Sequence, residues 1–439
     1  MSQRRLSRRA LLAAVGASAA GLAGCAAPAD PAATTSQSDT TSGADTTTQS
    51  TGSDSESGDD LTVSLSGDDR WTTYGYDPGH SGHNPDAAGP RDDPGQAWSA
   101  GVDGIYTLRE PAVADGRVFV GSDSVVWAFD AETGDQAWQT DVGGMAHHFA
   151  PTYRDGTLFA VSKDSSGVNN GATGAVRALA PSDGGVQWRT QLPVTSTVVH
   201  DGDRLVVAAK ADGTASLQAL DPETGDRGWR FDVPDAPESY VTGAPTYADG
   251  TVYAAATHVQ ADGTTSGALY ALAADSGELD WQVDVSGALS VAPVVADGRV
   301  HVAARDGTVR AVSTDGTDEW TADPGARIYT RPTYADGRLF VLTAADIVAY
   351  DDAGEELWRS AGDRSQMTGM AVADGTLYVG GEPLFALAAD SGDVVFDLPV
   401  GAYHGAYGAP VVVDDVMYAG ICIKDEQGAI YDNYVRAWV

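Results

Sequence analysis

Apolar and polar positions alternate in short runs along most of the chain, and one phrase returns eight times: an apolar run, an Asp-Gly-like turn, a second apolar run. The turns fall at Asp115-Gly116, Asp155-Gly156, Asp201-Gly202, Asp249-Gly250, Asp297-Gly298, Asp336-Gly337, Asp374-Gly375 and Asp414-Asp415, 38 to 48 residues apart. β-branched and aromatic residues flank them, as in Ala112-Val113-Ala114 before the first turn and Arg117-Val118-Phe119-Val120 after it, so each reads as a β-hairpin. A third apolar run ending in Ala follows, then a second turn and a Trp, as from Ala128 through Gly134 to Trp138. The predicted unit is four antiparallel strands, labelled A to D from the centre outward.

A unit of about 40 residues has the length of a propeller blade, and radial closure hides the sheet edges that an isolated blade leaves open. An open solenoid is the competing arrangement. The last repeat stops at Ala437-Trp438-Val439, after its third strand, while Gln96-Ala97-Trp98 precedes the first full repeat and matches Gln136-Ala137-Trp138. The expected fold is therefore all-β: an eight-bladed propeller of four-stranded antiparallel blades, its last blade closed by the N-terminal strand around Trp98.

Ala128 to Trp138 and Ala219 to Trp229 both fit AxDxxTGxxxW. Relaxed copies lie at Ala178 to Trp188, Ala271 to Trp281 and Ala386 to Phe396, and copies one residue shorter at Ala311 to Trp320 and Ala349 to Trp358. This pattern resembles the tryptophan-docking motif of PQQ (pyrroloquinoline quinone) repeat propellers. The likeness covers residues 71 to 439, since Trp71 to Pro78 looks like the lead-in of such proteins. It implies that Trp98, Trp138, Trp188, Trp229, Trp281, Trp320, Trp358 and Phe396 are structural, each packing on the neighbouring blade, with the indole nitrogen held by the motif's backbone.

Strand reversal puts the A–B and C–D turns on one rim and the B–C and D–A connections on the other. Long B–C excursions at 162–175, 257–268 and 424–433 are predicted loops, and loops on a rigid frame are where binding concentrates. The D–A connections surround the channel mouth. They carry Arg109, His147, His148, Tyr240, Arg327, Tyr329, Arg331, Arg364, Tyr403 and His404, with Tyr106, Glu110, Met145, Met367 and Tyr407 beside them. Four arginines converging in so acidic a chain predict a mouth for a carboxylate or another anion. The competing reading pairs them with nearby aspartates and plugs the channel with aromatics.

The N-terminus is a different object. Arg4, Arg5, Arg8 and Arg9 precede an apolar stretch from Ala10 to Gly24, too short for the roughly 20 residues that span a bilayer. The twin arginine in Ser7-Arg8-Arg9 resembles the signal for export of folded proteins, and Leu22-Ala23-Gly24-Cys25 resembles a lipobox. Residues 1–25 are thus an expected lipoprotein signal with Cys25 as lipidation site, 26–69 an expected disordered Ser/Thr/Asp-rich stalk, and 70–439 the propeller.

Charge narrows the partners. The chain carries 62 Asp and Glu against 26 Lys and Arg, a formal net charge of -36, and removing residues 1–24 makes it -40. Nucleic acid is excluded as a partner. The composition resembles proteins of salt-in halophiles, where hydrated carboxylates keep the chain soluble and the Debye length is about 3 Å at 1 M salt.

Catalytic signatures are absent: no GxSxG, HExxH, GxxxxGK[ST] or CxxC occurs. His147-His148 is a poor metal site, because consecutive strand residues point to opposite faces. Cys25 and Cys422 make no disulfide framework, and Cys422 is expected as a buried structural thiol. No catalytic residue, metal or cofactor is expected.

The leading function is a monomeric binding or assembly scaffold, tethered by lipid to the outer face of the cytoplasmic membrane and contacting other extracytoplasmic or membrane proteins. In this it resembles the non-catalytic lipoprotein propellers of outer-membrane assembly. One alternative, from the resemblance, is a sugar or alcohol dehydrogenase using PQQ and calcium, against which stands the lack of adjacent cysteines. A small-molecule or glycan receptor is the other.

Overall fold

Each predicted repeat folds as one antiparallel sheet. In blade 1 the strands Ala112–Ala114, Arg117–Ser122, Val125–Asp130 and Gln136–Asp141 are hydrogen-bonded in that order, and seven further blades follow. A computed structural model of the protein describes residues 61–66, 70–104, 106–163, 174–234, 238–241, 243–361, 367–398, 404–424 and 430–439. Asp115 at φ 50° and Gly116 at φ 67° form a two-residue turn with positive φ at both positions, whose twist matches the flanking strands. The third hairpin departs from this pattern. Its loop lengthens to 201–204, closed by Asp201 N–H to Arg204 O at 3.1 Å.

Ring closure uses the expected strand. Gln96–Val102 pairs antiparallel with Ile430–Trp438, Trp98 opposite Ala437, and Gly95 and Val439 exchange backbone hydrogen bonds of 3.0 and 3.1 Å. The fourth strand of blade 8 is thus N-terminal and its other three are C-terminal.

Neighbouring blades are joined by a repeated clasp. Trp98 Nε1 donates to Ala131 O in the C–D turn of the next blade at 3.0 Å, and Trp138, Trp188, Trp229, Trp281, Trp320 and Trp358 donate likewise to Pro181, Pro222, Ala274, Thr314, Asp352 and Ala389. The glycine of that turn lies under the indole. At Gly134, φ is +74° and a Cβ would stand 2.6 Å from the Trp98 ring, so a side chain is barred by strain and by space. Trp98 and Trp138 are buried, whereas Trp188, Trp229, Trp281, Trp320 and Trp358 are half-buried.

Phe396 breaks the series at one place for one reason. The blade after it is the split one, whose strand C ends at Trp438 and whose strand D begins at Gln96. No continuous C–D turn exists there to offer its carbonyl, and a ring without an N–H fills the position.

The lead-in has a role that its sequence did not reveal: it closes one end of the channel. Innermost strands have a free edge, and residues 71–89 satisfy it blade by blade. Trp71 and Val113 exchange backbone hydrogen bonds in blade 1, and Tyr153 N donates to Thr72 O in blade 2. The amides of Tyr247, Val295, Tyr334 and Val372 then donate in turn to Pro78, Gly79, Ser81 and Gly82, each near 2.8 Å. His83–Asn84 pairs parallel with strand A of blade 7, and Asn84 Nδ2 reaches Val412 O of blade 8 at 2.9 Å. Gly79 permits this approach, since a Cβ there would meet Val295 O at 2.5 Å.

A buried ion pair latches the lead-in across the channel. Glu110, from blade 1, accepts Trp71 Nε1 at 2.8 Å and Gly75 N at 2.6 Å on Oε1, while its Oε2 faces Arg331 Nη2 of blade 6 at 3.5 Å. Arg331 lies 4.9 Å from the Tyr74 ring centroid and donates to His80 O. Both side chains are at most 4% exposed. Burial pushes the Glu110 carboxyl above its usual range, against the opposing pull of Arg331.

Residues 61–66, assigned by composition to the stalk, lie on the same rim. Val63 is buried in the cluster that holds Trp71 and Trp98, and Ser66 N and Oγ both donate to Asp414. The chain therefore enters the propeller from the face opposite the D–A connections.

Two predictions follow from these contacts. Arg331→Met leaves the Glu110 carboxylate buried and unpaired and is expected to cost about 3–5 kcal/mol, read as a lower denaturant midpoint, with the Glu110→Gln/Arg331→Met double variant regaining much of the loss. His301 is fully buried between Trp320 and Tyr334, with ring nitrogens that have no hydrogen-bond partner, and burial lowers its pKa to about 3. The unfolded chain then binds a proton that the native chain refuses, so His301 contributes stability above about pH 6.5 that is lost as pH falls toward 3. Melting temperatures at about pH 7 and pH 4.5 should therefore converge in His301→Phe relative to the wild type.

Candidate functional site

All eight D–A connections supply wall residues to the channel, from Arg109 and Glu110 in blade 1 round to Tyr407 and Ala409 in blade 8. Because the lead-in occupies the opposite end, the channel is a blind funnel of about 370 Å³, with Tyr74 of the lead-in at its floor. The wall is largely polar backbone and hydroxyl, including Ser196, Thr197, Thr330 and Thr368. Among the described residues its charged side chains are Arg109, Lys163, Arg331 and Glu110, three cations and one carboxylate.

The predicted mouth residues divide into three groups. Arg109, His148, Tyr329 and Arg331 line the funnel. Arg109 and His148 are exposed, and Tyr329 is 50% exposed with the Arg305 guanidinium 5.5 Å from its ring centroid. Arg331 is not an open cation, because it is spent on the latch.

Tyr240 and Arg327 stand outside the wall. Arg327 is exposed on the rim, its carbonyl accepting Ala344 N. Tyr240 lies on an added strand, Glu238–Tyr240, with Lys210 Nζ 3.2 Å from its ring centroid and its hydroxyl on Glu238. The cause is local. The excursion predicted as a loop at 257–268 is instead a continuation of the strands Thr251–Val259 and Thr265–Ala273, and the D–A connection pairs with that extension at Thr257 to Val259. Blade 8 repeats the device: Val416–Lys424 and Ile430–Trp438 run long, and His404–Ala406 pairs with Ile421 to Ile423.

His147 and His404 are described by their backbone alone, the first in a 3₁₀ turn at Ala146–His148. Arg364, Tyr403, the excursion at 164–173 and Cys25 lie outside the described residues.

Lys163 is the wall residue that sequence reasoning overlooked, and the signal was present. The chain has three lysines, Lys163, Lys210 and Lys424, and each sits where a strand B reaches the funnel rim. Two of them are ion-paired over a tyrosine: Lys210 to Glu238 at 2.9 Å over Tyr240, and Lys424 to Glu382 at 3.5 Å over Tyr407.

The funnel does not fit a calcium–quinone centre. Calcium takes about six to eight oxygen ligands, whereas the one wall carboxylate among the described residues, Glu110, is engaged by Trp71, Gly75 and Arg331. Among the described residues no cluster of three or more His, Cys, Asp or Glu is arranged to share a metal. Cys422 is fully buried, and burial pushes its thiol up to about 11.

Comparison with known proteins places this geometry. A family model described as outer membrane protein assembly factor BamB matches residues 63–170, 172–265, 216–342 and 343–433. The BamB of Yersinia pestis is 28% identical over 368 residues, covering 77% of this chain and 88% of that protein. Among solved structures, the quinohemoprotein alcohol dehydrogenase of Comamonas testosteroni superposes with a TM-score of 0.67 at 15% identity, covering 84% of this chain and 80% of that one. BamB from Moraxella catarrhalis gives 0.57 at 17%, covering 79% and 97%. At such identities the two structures share the fold alone with this chain. The match along nearly the whole propeller is to repeats of the PQQ type, and the chain belongs to the BamB family of PQQ-repeat β-propellers.

Proposed function

We propose that this chain is an exported, lipid-tethered scaffold that holds other extracytoplasmic or membrane proteins on the face carrying the funnel. One observation carries the reading: the two faces are unequal. The lead-in and residues 61–66 occupy the A–B rim, while the opposite rim carries the funnel and the tall hairpins of blades 4 and 8. Long hairpins on a rigid ring suit protein contact better than turnover of a small substrate. Family membership supports the same direction, since its relatives bear the name of an assembly factor.

In this reading residues 1–25 are the export signal, Cys25 carries the lipid, and the segment to residue 60 is a tether. A stretch of 35 residues between Cys25 and residue 60 has an r.m.s. span of about 33 Å as a flexible chain, enough to hold the ring clear of the bilayer. The acidic surface keeps a monomer soluble and away from nucleic acid. A receptor for a small molecule or glycan would use the same funnel, and a dehydrogenase would need a cofactor centre that its wall does not fit.

Affinity capture of the full chain from its own membranes tests the proposal. Tyr106→Asp/Tyr329→Asp, two exposed rings on the funnel face, is expected to lose most co-purifying protein, while Asp155→Arg on the opposite rim retains it. Equal recovery from both variants contradicts the reading, and so does PQQ- and calcium-dependent alcohol or sugar oxidation by the purified wild type.

A further inference from the structure

In a chain with 62 acids and 26 bases, a concave wall whose described charged side chains are mostly cationic stands against the general charge. Around the ring many arginines are paired with a carboxylate, as in Arg117 with Asp130, Arg299 with Glu319, Arg310 with Asp318 and Arg359 with Glu356. On the funnel rim Lys210 and Lys424 are paired as well. Arg109 and Lys163 combine two features: both line the funnel, and among the described residues neither side chain has an ion-pair partner.

Below them the floor is neutral as a whole but not saturated. Arg331 Nη2 and Glu110 Oε2 face each other at 3.5 Å, long for a hydrogen bond, and Thr330 Oγ1 is buried with no hydrogen-bond partner. Among the described residues the funnel thus has a surplus of two positive charges over its one carboxylate–guanidinium pair, inside a molecule of net charge -36. A concave wall of one sign focuses its field inward, and a partly enclosed charge is screened by salt less than a surface one.

We propose that the funnel is a carboxylate-binding site that takes an acidic peptide segment of a partner protein, with Arg109 and Lys163 as the two contacting cations. This rests on the scaffold reading and names what the scaffold grips. The carboxylates meet charge-assisted donors from adjacent blades, 1 and 2, on one arc of the wall, while the polypeptide leaving the funnel crosses exposed rings at Tyr106 and Tyr329. A free organic acid would engage the cations without reaching those rings. A cavity of about 370 Å³ open toward the rim admits side chains and a short stretch of backbone.

The test uses the full chain, a fluorescein-labelled six-residue peptide of Asp and Glu, the same peptide with Asn and Gln, and citrate. Fluorescence anisotropy is expected to report saturable binding of the acidic peptide and none of the amide peptide. Arg109→Gln and Lys163→Gln should each weaken it by about tenfold, with Lys210→Gln, already paired elsewhere, unchanged. Arg109 is exposed, so Arg109→Gln keeps the test valid even where Lys163→Gln fails to fold.

Equal binding of the two peptides, wild-type binding by Arg109→Gln, or binding of citrate without peptide overturns the proposal. Its failure is separable from that of the scaffold reading. Captured membrane proteins without peptide binding leave a scaffold that works outside the funnel, whereas peptide binding without captured proteins sinks the scaffold and leaves the site.

Discussion

The structure depends on one contact repeated around the ring, an indole N–H donating to a turn carbonyl of the next blade while its face rests on a glycine with positive φ. Blades bury apolar faces against each other, but burial alone does not set the angle between two sheets. The clasp does so, because the N–H must point at one carbonyl and the ring must lie flat on one Cα. Trp98 shows how far the chain goes to keep it. That residue precedes every complete repeat, yet it clasps blade 1 from the outer strand of blade 8, so ring closure and blade docking are the same event. Phe396 shows the converse: where the split blade offers no turn, the donor is dispensed with.

A rigid ring leaves its inner strand edges unpaired, and the lead-in meets that constraint. Running under the inner strands it accepts their amide hydrogens, and the Glu110–Arg331 pair fixes it from two blades across the channel. The proposed function rests on this asymmetry. A channel closed at one end becomes a funnel, the chain enters on the closed face, and the tall hairpins rise on the other. The buried latch also explains why an arginine-rich mouth is less positive than its sequence implies, since Arg331 is neutralised within the fold and Lys163 takes its place on the wall.

Periodicity carried most of the architecture. Turn spacing, the Trp motif and the match between Gln96-Ala97-Trp98 and Gln136-Ala137-Trp138 are local or repeated signals, so blade number, strand order and the closing strand were legible. The lead-in was not, because it occurs once and its partners are backbone groups on seven different blades, which no local pattern encodes. The same limit applied to the mouth. Sequence position put Tyr240 and Arg331 on D–A connections, but strand pairing with an extended hairpin drew Tyr240 onto the rim, and a residue 221 positions away claimed Arg331. Lys163 escaped notice because it ends a strand B, although the scarcity of lysine in so acidic a chain marked it out.

The scaffold we propose holds its partners on the funnel face. A photo-crosslinking residue placed at Tyr329, on that face, and separately at Asp155, on the opposite rim, reads this directly in intact membranes. Protein adducts are expected from position 329 and none from position 155; adducts from 155 alone would overturn the scaffold proposal.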